Sequence, residues 1–439
     1  MAHLPRRRLL AGLAGAALAL WAPRLFAQAS AERLTAAQLR ADLAFLRKTL
    51  ADTHPDLGFS ADVAAVANAF ERLDAAAGDG LARGDAWQFF ATLNPLFADA
   101  HVVVGFPDWR GDVRHHLASG GTLFPYEVTL DDGDLFIAAL AGGAATPLHG
   151  ARIVAIDGEP TAAAIAALMT RMHGDTPLFR ASLLARRWWF YYWKLRGAAA
   201  NYRLALARDG RTWTINAPSS PALPSPLRIE ASFDEQFRLE FRADGSAVLT
   251  AASFAPADPA RVLAFFRTAF ATLRERGTRE LTIDVSANGG GNDAIWLEGL
   301  LPYLATQPYR TGSTYRKKVL EPNPATGEQA GQVVRGEIAT WHQPQPDNPL
   351  RFRGRVRVAI GPATYSSARA VCECDARLRV CHAGGHRWRG APCAVGRGAA
   401  IHPAPVWVDD FRTALCAGAA GRRPGRGVAD AVVVARARR

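Results

Sequence analysis

Three consecutive glycines follow a short apolar strand in the segment LTIDVSANGGGN, which covers residues 281–292. Glycine adopts backbone conformations that other residues avoid, so this loop can turn sharply and point its N–H groups outward. Further along the chain, the apolar strand RVRVAI runs into the turn GPATYSSARA, which carries two serines. A glycine loop and a serine turn at the ends of two parallel-type strands indicate covalent acyl chemistry, with oxyanion donors on one loop and a nucleophile on the other. The two motifs together predict a serine hydrolase.

The positive charge of the chain is concentrated at its two ends. The 439 residues carry a formal net charge of +12, which would favour nucleic acid or an anionic surface as a partner if the folded body carried it. Residues 1–29 hold four arginines and no acid, and residues 372–439 hold twelve arginines against five acids. The body between them is nearly neutral, at about +1, so a nucleic-acid role loses its electrostatic basis.

The N-terminal segment combines an arginine cluster, a short apolar run and small residues at Ala27 and Ala29. This order is typical of a secretory signal, and the paired arginines allow the twin-arginine (Tat) route as well as the Sec route. An uncleaved membrane anchor is the alternative, although the apolar run is short for a membrane span. We therefore predict that residues 1–29 are a signal peptide, with export to the periplasm and no stable membrane span beyond this segment.

Two different periodicities follow the predicted signal. Apolar residues recur at helical spacing between Leu34 and Phe97, which predicts a helical cap over residues 30–112. Residues 113–217 alternate apolar and polar positions between Gly, Asp and Pro turns, which predicts a β-rich module with one helix, Thr161–Met172. Within it, GARIVAIDGEP followed by an alanine-rich helix resembles a PDZ-type peptide-binding module. The aromatic run of that module, WWFYYW, is expected to be core or domain interface.

Strands and helices alternate over residues 218–371. This alternation predicts a mostly parallel sheet whose ligands bind beyond the C-terminal ends of its strands. The predicted elements are strands at 247–254, 280–285, 309–318 and 355–360 and helices at 259–276 and 293–304. The fold class is therefore α/β in this region and α+β overall, and both opening motifs fall at the ligand-binding edge.

The order of these motifs resembles the C-terminal-processing, or tail-specific, serine peptidases. The matching features are Asp-Ala-His from Asp99, the PDZ-like insert, Asp-x-x-x-Asn-Gly-Gly-Gly-Asn from Asp284, and Thr-Tyr-Ser-Ser-Ala from Thr364. The resemblance covers roughly residues 34–370, and the family includes the tricorn protease core and the interphotoreceptor retinoid-binding proteins. It implies a helical cap, a PDZ-like module and a βαβ catalytic core over residues 218–371.

The resemblance also implies the site residues. Ser366 takes the position of the nucleophile, and Ser367 would supply one oxyanion N–H, with Gly289 or Gly290 supplying the other. The substrates would be proteins or peptides, and neither a metal nor a cofactor is expected to take part.

The base follows from the position of the lysines. Members of the family activate the serine with a lysine about two dozen residues downstream or with a histidine from the cap. The last lysine of this chain, Lys318, precedes Ser366, so the resemblance implies His101 as the base. The acidic third member expected near the end of the fold has no assigned residue.

The composition changes abruptly after Ala370. Lysine disappears, and all the cysteines lie in this last segment, namely Cys372, Cys374, Cys381, Cys393 and Cys416. One interpretation is a metal site made of the first four of these cysteines together with His382 and His386, but the spacing matches no paired CxxC knuckle. Disulfides are another, although their number is odd.

Our preferred interpretation of this tail, residues 372–439, is a shifted reading frame near Val371. In the shifted frame, synonymous codons exist that spell SANATRDFGYATLVGTGGAGR, which looks like a missing helix, strand and turn. On this hypothesis the sheet loses a strand after Ser366 and the base loses its acidic partner, so the chain as written would fold poorly or be inactive. Sequencing of the gene across codons 366–375 tests the hypothesis, and the absence of an extra or missing base would refute it.

A rival from another class is a non-catalytic periplasmic protein that binds a peptide or an apolar ligand through the PDZ-like module. The retinoid-binding relatives indicate that such a fold allows this role. A separation of His101 from Ser366 far beyond the reach of a bridging water would favour the binding protein. A metal-binding tail on a structural chain is a third alternative, and it predicts bound zinc.

Overall fold

The structure is a computed structural model that describes residues 33–310 and 314–374 and four short strands beyond them. The first part of the chain is mainly helical, as its periodicity predicts. Its elements are helices α1 (Ala36–Thr53), α2 (Val63–Ala76), α3 (Arg83–Phe90) and α4 (Trp109–Ala118), 3-10 turns at Leu57–Phe59 and Ala91–Leu96, and strand β1 (Val103–Val104). The predicted signal segment lies outside the described residues.

Helix α1 shows how the sequence sets its own limits. The Thr35 hydroxyl accepts the Gln38 N–H while the Gln38 side chain accepts the Thr35 N–H, which is a capping box. The helix ends at Thr53, shortly before Pro55, because the residue preceding a proline avoids the helical region. Its buried residues recur at helical spacing, and they are Leu39, Asp42, Leu43, Leu46 and Leu50.

The predicted β-rich module is an antiparallel sheet with three helices. Its elements are β2 (Tyr126–Asp131), β3 (Asp134–Leu140), β4 (Arg152–Ile156), β5 (Glu159–Pro160), α5 (Thr161–Met169), α6 (Pro177–Arg186), α7 (Trp188–Arg196), β6 (Asn201–Arg208) and β7 (Arg211–Pro218). The strand order is β2-β3-β4-β6-β7, with β5 paired to β4. The prediction of a single helix was wrong, because α6 and α7 also form here.

The two additional helices have local causes. Thr176 caps α6 by accepting the Phe179 N–H, and Pro177 stands at its first position, where a missing N–H costs nothing. Helix α7 is apolar nearly all round, so it carries no amphipathic period that a sequence pattern could detect. Its aromatic residues are buried except for the half-buried Trp193, and they belong to one hydrophobic core that the helical cap and the β-rich module share.

The remaining part of the chain builds a second core. Its elements are α8 (Ser225–Ala231), α9 (Phe233–Gln236), β8 (Phe237–Phe241), β9 (Ala247–Ala251), α10 (Pro259–Glu275), β10 (Glu280–Asp284), α11 (Asp293–Gly299), α12 (Leu301–Leu304), β11 (Thr314–Lys318), β12 (Val333–Glu337), β13 (Arg355–Ile360), α13 (Ser367–Cys374) and β14 (Arg379–His382). The sheet order is β14-β13-β10-β9-β8. Strands β9, β10, β13 and β14 are parallel, as predicted, and β8 is antiparallel to β9.

Two predicted elements of this region differ from the structure. The segment 309–318 forms a strand only over Thr314–Lys318, and that strand pairs with β12 in a separate hairpin instead of joining the sheet. Its run of basic residues, Arg316–Lys318, does not suit a parallel strand that is buried on both faces. The helix predicted at 293–304 divides into α11 and α12 at Leu300, because Pro302 cannot donate to the helix that precedes it.

The sheet does not lack a strand after the serine turn, contrary to the expectation from the shifted frame. Strand β14 pairs in parallel with β13, with Val358 opposite Val380. The other described pieces of the tail are β15 (Arg412–Thr413), β16 (Val432–Val433) and β17 (Ala435–Arg436), of which β16 pairs with β1. Of the proposed metal site, Cys372 and Cys374 lie in α13, and Cys381 and His382 lie in β14. Its other residues, and most of the segment to which the frameshift hypothesis refers, lie outside the described residues. Among the described residues, none of the helices combines the length and the apolar character that a membrane span requires.

Candidate active site

The turn that follows β13 is fixed by hydrogen bonds to the segment that follows β10. The Thr364 hydroxyl donates to the Val285 carbonyl at 2.8 Å and accepts the Gly361 N–H at 2.9 Å. The Tyr365 N–H donates to the Asn288 carbonyl at 3.1 Å. Because β10 and β13 are adjacent and parallel, these bonds bring the serine turn and the glycine loop together at the same edge of the sheet.

Ser366 has a strained backbone. Its φ is +51°, and the other non-glycine residues with positive φ in the described part are all aspartates, which tolerate this region better than most residues. Helix α13 begins at the next residue, and the Ser366 carbonyl accepts the Arg369 N–H at 2.8 Å. A serine on a sharp strand-to-helix turn exposes its hydroxyl beyond the sheet, which is the geometry of a nucleophile.

A buried asparagine organises the glycine loop. The Asn288 amide nitrogen donates to the Ala251 carbonyl at 2.9 Å, and its side-chain oxygen accepts the Gly290 N–H at 2.8 Å. The Ser367 hydroxyl donates to the Gly291 carbonyl at 2.7 Å, which joins the loop to the serine turn. The two predicted motifs are therefore in direct contact.

The packing at Gly290 leaves no room for a side chain. Its φ is +98°, and a Cβ built there would lie 2.7 Å from the Ser366 Cβ and 2.8 Å from the Tyr365 carbonyl oxygen. The Gly290 N–H already donates to Asn288, so it is not available to an oxyanion. Of the two glycines predicted as oxyanion donors, the exposed Gly289 is the remaining candidate, and Gly290 serves close packing against the serine.

The loop between the 3-10 turn at Ala91–Leu96 and β1 brings His101 to the serine. The His101 Nε2 atom lies 3.3 Å from the Ser366 Oγ atom. On the other side of the ring, Nδ1 lies 2.9 Å from the Asp99 Oδ1 atom, which also accepts the His101 backbone N–H at 2.8 Å. We assign the ring proton to Nδ1 because that nitrogen faces a carboxylate, which leaves the Nε2 lone pair towards the hydroxyl.

The electrostatics support this assignment. Burial raises the pKa of the Asp99 carboxyl, but the hydrogen bonds and the charge of His101 outweigh that effect and hold its pKa below the usual value. Asp99 is therefore ionised at neutral pH and remains an acceptor for the imidazole. Its side chain is 26% exposed and that of His101 is 34% exposed, so the pair is partly open to an incoming substrate.

Two further polar side chains lie behind the histidine. The Tyr365 hydroxyl donates to the Asp175 Oδ1 atom at 2.8 Å, and that oxygen also accepts the Ala100 N–H at 2.7 Å. Burial raises the pKa of Asp175, and these hydrogen bonds offset the effect only in part. Burial together with the neighbouring carboxylates of Asp99 and Asp175 also raises the pKa of Tyr365, so its hydroxyl keeps its proton.

Sequence reasoning did not assign Asp99, Asp175 or Tyr365 to the site. Asp99 carried a signal, because it stands two residues before His101 in the quoted motif. Asp175 carried none, since only the folded chain brings a residue from the loop before α6 to the histidine. Within the described residues, no group of three or more His, Cys, Asp or Glu side chains could hold a metal ion.

The sequence matches no protein-family model, and no curated protein matches it either. The fold does match solved structures of CPAF. A crystal structure of a CPAF mutant gives a TM-score of 0.56 at 13% identity, over 79% of this chain and 83% of that chain. Mature CPAF gives 0.54 at 14% identity over 79% and 83%. Mature CPAF complexed with lactacystin gives 0.53 at 14% identity over 79% and 84%.

These matches define the class of the fold. CPAF is a C-terminal-processing, or tail-specific, serine protease. This chain therefore has the fold of the tail-specific serine proteases, as the order of its motifs indicated. At identities of 13–14%, the likeness concerns the fold, and the chemistry rests on the residues of this chain.

Proposed function

We propose that this chain is a serine peptidase that hydrolyses peptide bonds, with Ser366 as the nucleophile and His101 as its general base. The observation that carries the proposal is the 3.3 Å separation of the His101 Nε2 and Ser366 Oγ atoms, which come from loops 265 residues apart in sequence. A contact at the upper end of hydrogen-bond reach is common in a site without substrate. The strained φ of Ser366 and the fold of the serine proteases support the same chemistry.

In the proposed reaction, the Ser366 oxygen attacks the scissile carbonyl while its proton moves to the His101 Nε2 atom. Asp99 holds the imidazole in the correct tautomer and stabilises the imidazolium that forms. The proton then passes to the leaving amine, and water hydrolyses the acyl-enzyme with the same histidine as base. Asp99 thus takes the role of the acidic third member of the triad, to which the sequence analysis assigned no residue.

The oxyanion donors we propose are the N–H groups of Ser367 and Gly289. Ser367 is the first residue of α13, so its N–H has no acceptor within the helix and lies at the positive end of the helix dipole. Gly289 is exposed beside the buried Gly290 that packs on the nucleophile turn. Losing one such donor typically costs about 10²- to 10³-fold in rate.

The substrates we propose are proteins or peptides, in line with the class of the fold. We also propose that the chain is exported to the periplasm through the segment of residues 1–29, on the strength of its arginine cluster, apolar run and small residues. No nucleic acid is expected as a partner, because the body of the chain is nearly neutral.

A serine-reactive fluorophosphonate probe tests the chemistry directly. We expect the purified chain to be labelled at Ser366 and to hydrolyse an unstructured peptide. Ser366→Ala should abolish labelling and lower hydrolysis by at least about 10³-fold, since the covalent intermediate cannot form. Ser246→Ala, which removes a half-buried turn serine that is hydrogen-bonded to Asp244, is the matched control and should behave like the unchanged chain.

The outcomes separate the two function classes. Unchanged hydrolysis in Ser366→Ala, or labelling at another serine, would refute the assignment of the nucleophile. A chain that binds the peptide but is neither labelled nor able to cleave it is the non-catalytic binding protein. The second class is disfavoured by the short distance between His101 and Ser366, since a binding protein has no need of it.

The tail hypothesis has a test of its own. A base missing or added within codons 366–375 would establish the shifted frame, and the activity of the corrected chain should then exceed that of the chain as written. An intact frame would refute the frameshift hypothesis. The proposed reaction would be unaffected, because it uses only residues that the structure describes.

A further inference from the structure

We propose that Asp175 and Tyr365 are positioning residues that hold the His101 turn against the nucleophile turn; this inference rests on the proposed function. Asp175 precedes helix α6 of the β-rich module, His101 belongs to the helical cap, and Tyr365 precedes the nucleophile. The site therefore joins three segments that are distant in sequence. One carboxylate oxygen of Asp175 bonds to both of the other segments.

The first link fixes the backbone of the histidine turn. The Asp175 Oδ1 atom accepts the Ala100 N–H at 2.7 Å, and Ala100 lies between Asp99 and His101. A bond to the central residue of this turn restricts the direction of the side chains on both sides of it. Such a restriction matters because a displacement of about 1 Å at a reacting group can cost about 10²-fold in rate.

The second link runs through the Tyr365 hydroxyl. That hydroxyl donates its one proton to Asp175 at 2.8 Å, and its oxygen lies 3.4 Å from both the Asp99 Oδ1 atom and the His101 Nδ1 atom. Because Asp175 is the nearer acceptor, the tyrosine proton is directed away from Asp99. Asp99 is then left to accept the imidazole Nδ1–H. The orientation of the Tyr365 hydroxyl therefore preserves the hydrogen bond between Asp99 and His101.

Helix α6 reinforces the same arrangement. The Arg180 guanidinium donates to the Gly174 carbonyl at 2.9 Å and to the carbonyls of Pro95 and Phe97 at 3.1 and 3.2 Å. It thereby connects the backbone next to Asp175 with the chain that leads into the histidine turn. The ring of Phe179 packs against that of Tyr365, with centroids 5.1 Å apart. The position of Asp175 is thus set by contacts that do not involve the reacting atoms.

A double-mutant cycle tests the proposal. Tyr365→Phe removes one link and should lower the rate of fluorophosphonate labelling and kcat by about 10-fold, with KM unchanged. Asp175→Ala removes both links and should lower them by about 10²-fold. Asp175 directs the tyrosine proton, and the Tyr365 oxygen also accepts the Ala100 N–H directly at 3.2 Å. The two residues therefore share one network, and the loss in the double variant should be smaller than the product of the two single losses.

A second readout does not depend on turnover. With ¹⁵N-labelled histidine, the NMR signals of the His101 ring, assigned by their loss in His101→Gln, should show the proton on Nδ1 in the unchanged chain. Asp175→Ala should convert them to a mixture of tautomers, whereas a merely structural role would leave the tautomer unchanged. Tyr303→Phe, which removes the hydroxyl of a tyrosine stacked on Phe270, and Asp134→Ala, which breaks an ion pair with Arg152, are matched controls for lost stability.

The results distinguish failure of the inference from failure of the proposed function. If the unchanged chain is labelled at Ser366 but Tyr365→Phe and Asp175→Ala react equally fast and keep the Nδ1 tautomer, the inference is wrong and the peptidase stands. Multiplying effects of the two substitutions would also overturn it, because they would place the residues in separate roles. If the unchanged chain is not labelled and His101 shows no Nδ1 proton, both proposals fail.

Discussion

Replacing Gly290 by alanine should damage the site, because the added methyl group would meet the nucleophile turn itself. Its φ of +98° lies in the region where a non-glycine residue costs about 1–3 kcal/mol. The added Cβ would also lie 2.7 Å from the Ser366 Cβ and 2.8 Å from the Tyr365 carbonyl oxygen, so backbone must shift, at a further cost of about 1–3 kcal/mol. Together the free energy of unfolding should fall by about 2–6 kcal/mol.

The displaced atoms belong to the nucleophile turn, so the loss should extend to reactivity. Urea denaturation measures the stability. Labelling by the fluorophosphonate probe, without urea and at a temperature at which the variant is fully folded, measures the reactivity, and the labelling rate should fall by about 10²-fold. Gly289→Ala is the stability control, because its Cβ meets no atom within 4 Å and its φ is not left-handed. Equal unfolding midpoints for the two variants would refute the packing argument at Gly290.

Two further predictions concern the polar side chains of Asn288 and His173. Asn288→Ala leaves the Ala251 carbonyl and the Gly290 N–H without the side chain that binds them. In urea titrations the free energy of unfolding should therefore fall by about 2–4 kcal/mol. A loss below about 1 kcal/mol would contradict the role of Asn288. Burial, with the nearby charges of Arg187, Arg180 and His101, lowers the pKa of His173 to about 3. The unfolded chain, with an ordinary value of 6.5, therefore binds the proton first, and stability falls as the pH drops from about 6.5 towards 3. His173→Gln should make the unfolding midpoint less dependent on pH between about 6.5 and 4.5, and an unchanged dependence would refute that assignment.

The sequence was most informative where a local rule governs the structure. The parallel strands β9, β10 and β13 follow from apolar runs, of which the second ends in the glycine loop and the third in the serine turn, and β13 has the predicted bounds. Helix α7 was not predicted, because a helix that is buried nearly all round lacks the apolar periodicity on which such predictions rest. The failure at 309–318 was of another kind, since the strand exists but pairs locally with β12.

The site could be anticipated only to the extent that its residues lie in motifs. The glycine loop and the serine turn meet because their strands are adjacent and parallel, and the sequence indicated this by placing both motifs at strand ends. The hydrogen bond from Ser367 to Gly291 became known only from the structure. Asp175 could not be found this way, because its position depends on how the β-rich module packs on the cap. Whether Gly289 or Gly290 donates to an oxyanion also depended on a side-chain contact, namely that of Asn288 with Gly290.

Strand β14 has a consequence for self-association. Its four residues cover the outer edge of β13, the strand that leads into the serine turn. Strand pairing is made by backbone groups, so an arginine- and cysteine-rich segment can cover that edge although its composition suits no core. A chain cut before residue 379 would expose the unpaired N–H and C=O groups of β13 as a template for another copy, and aggregation would then begin beside the nucleophile turn.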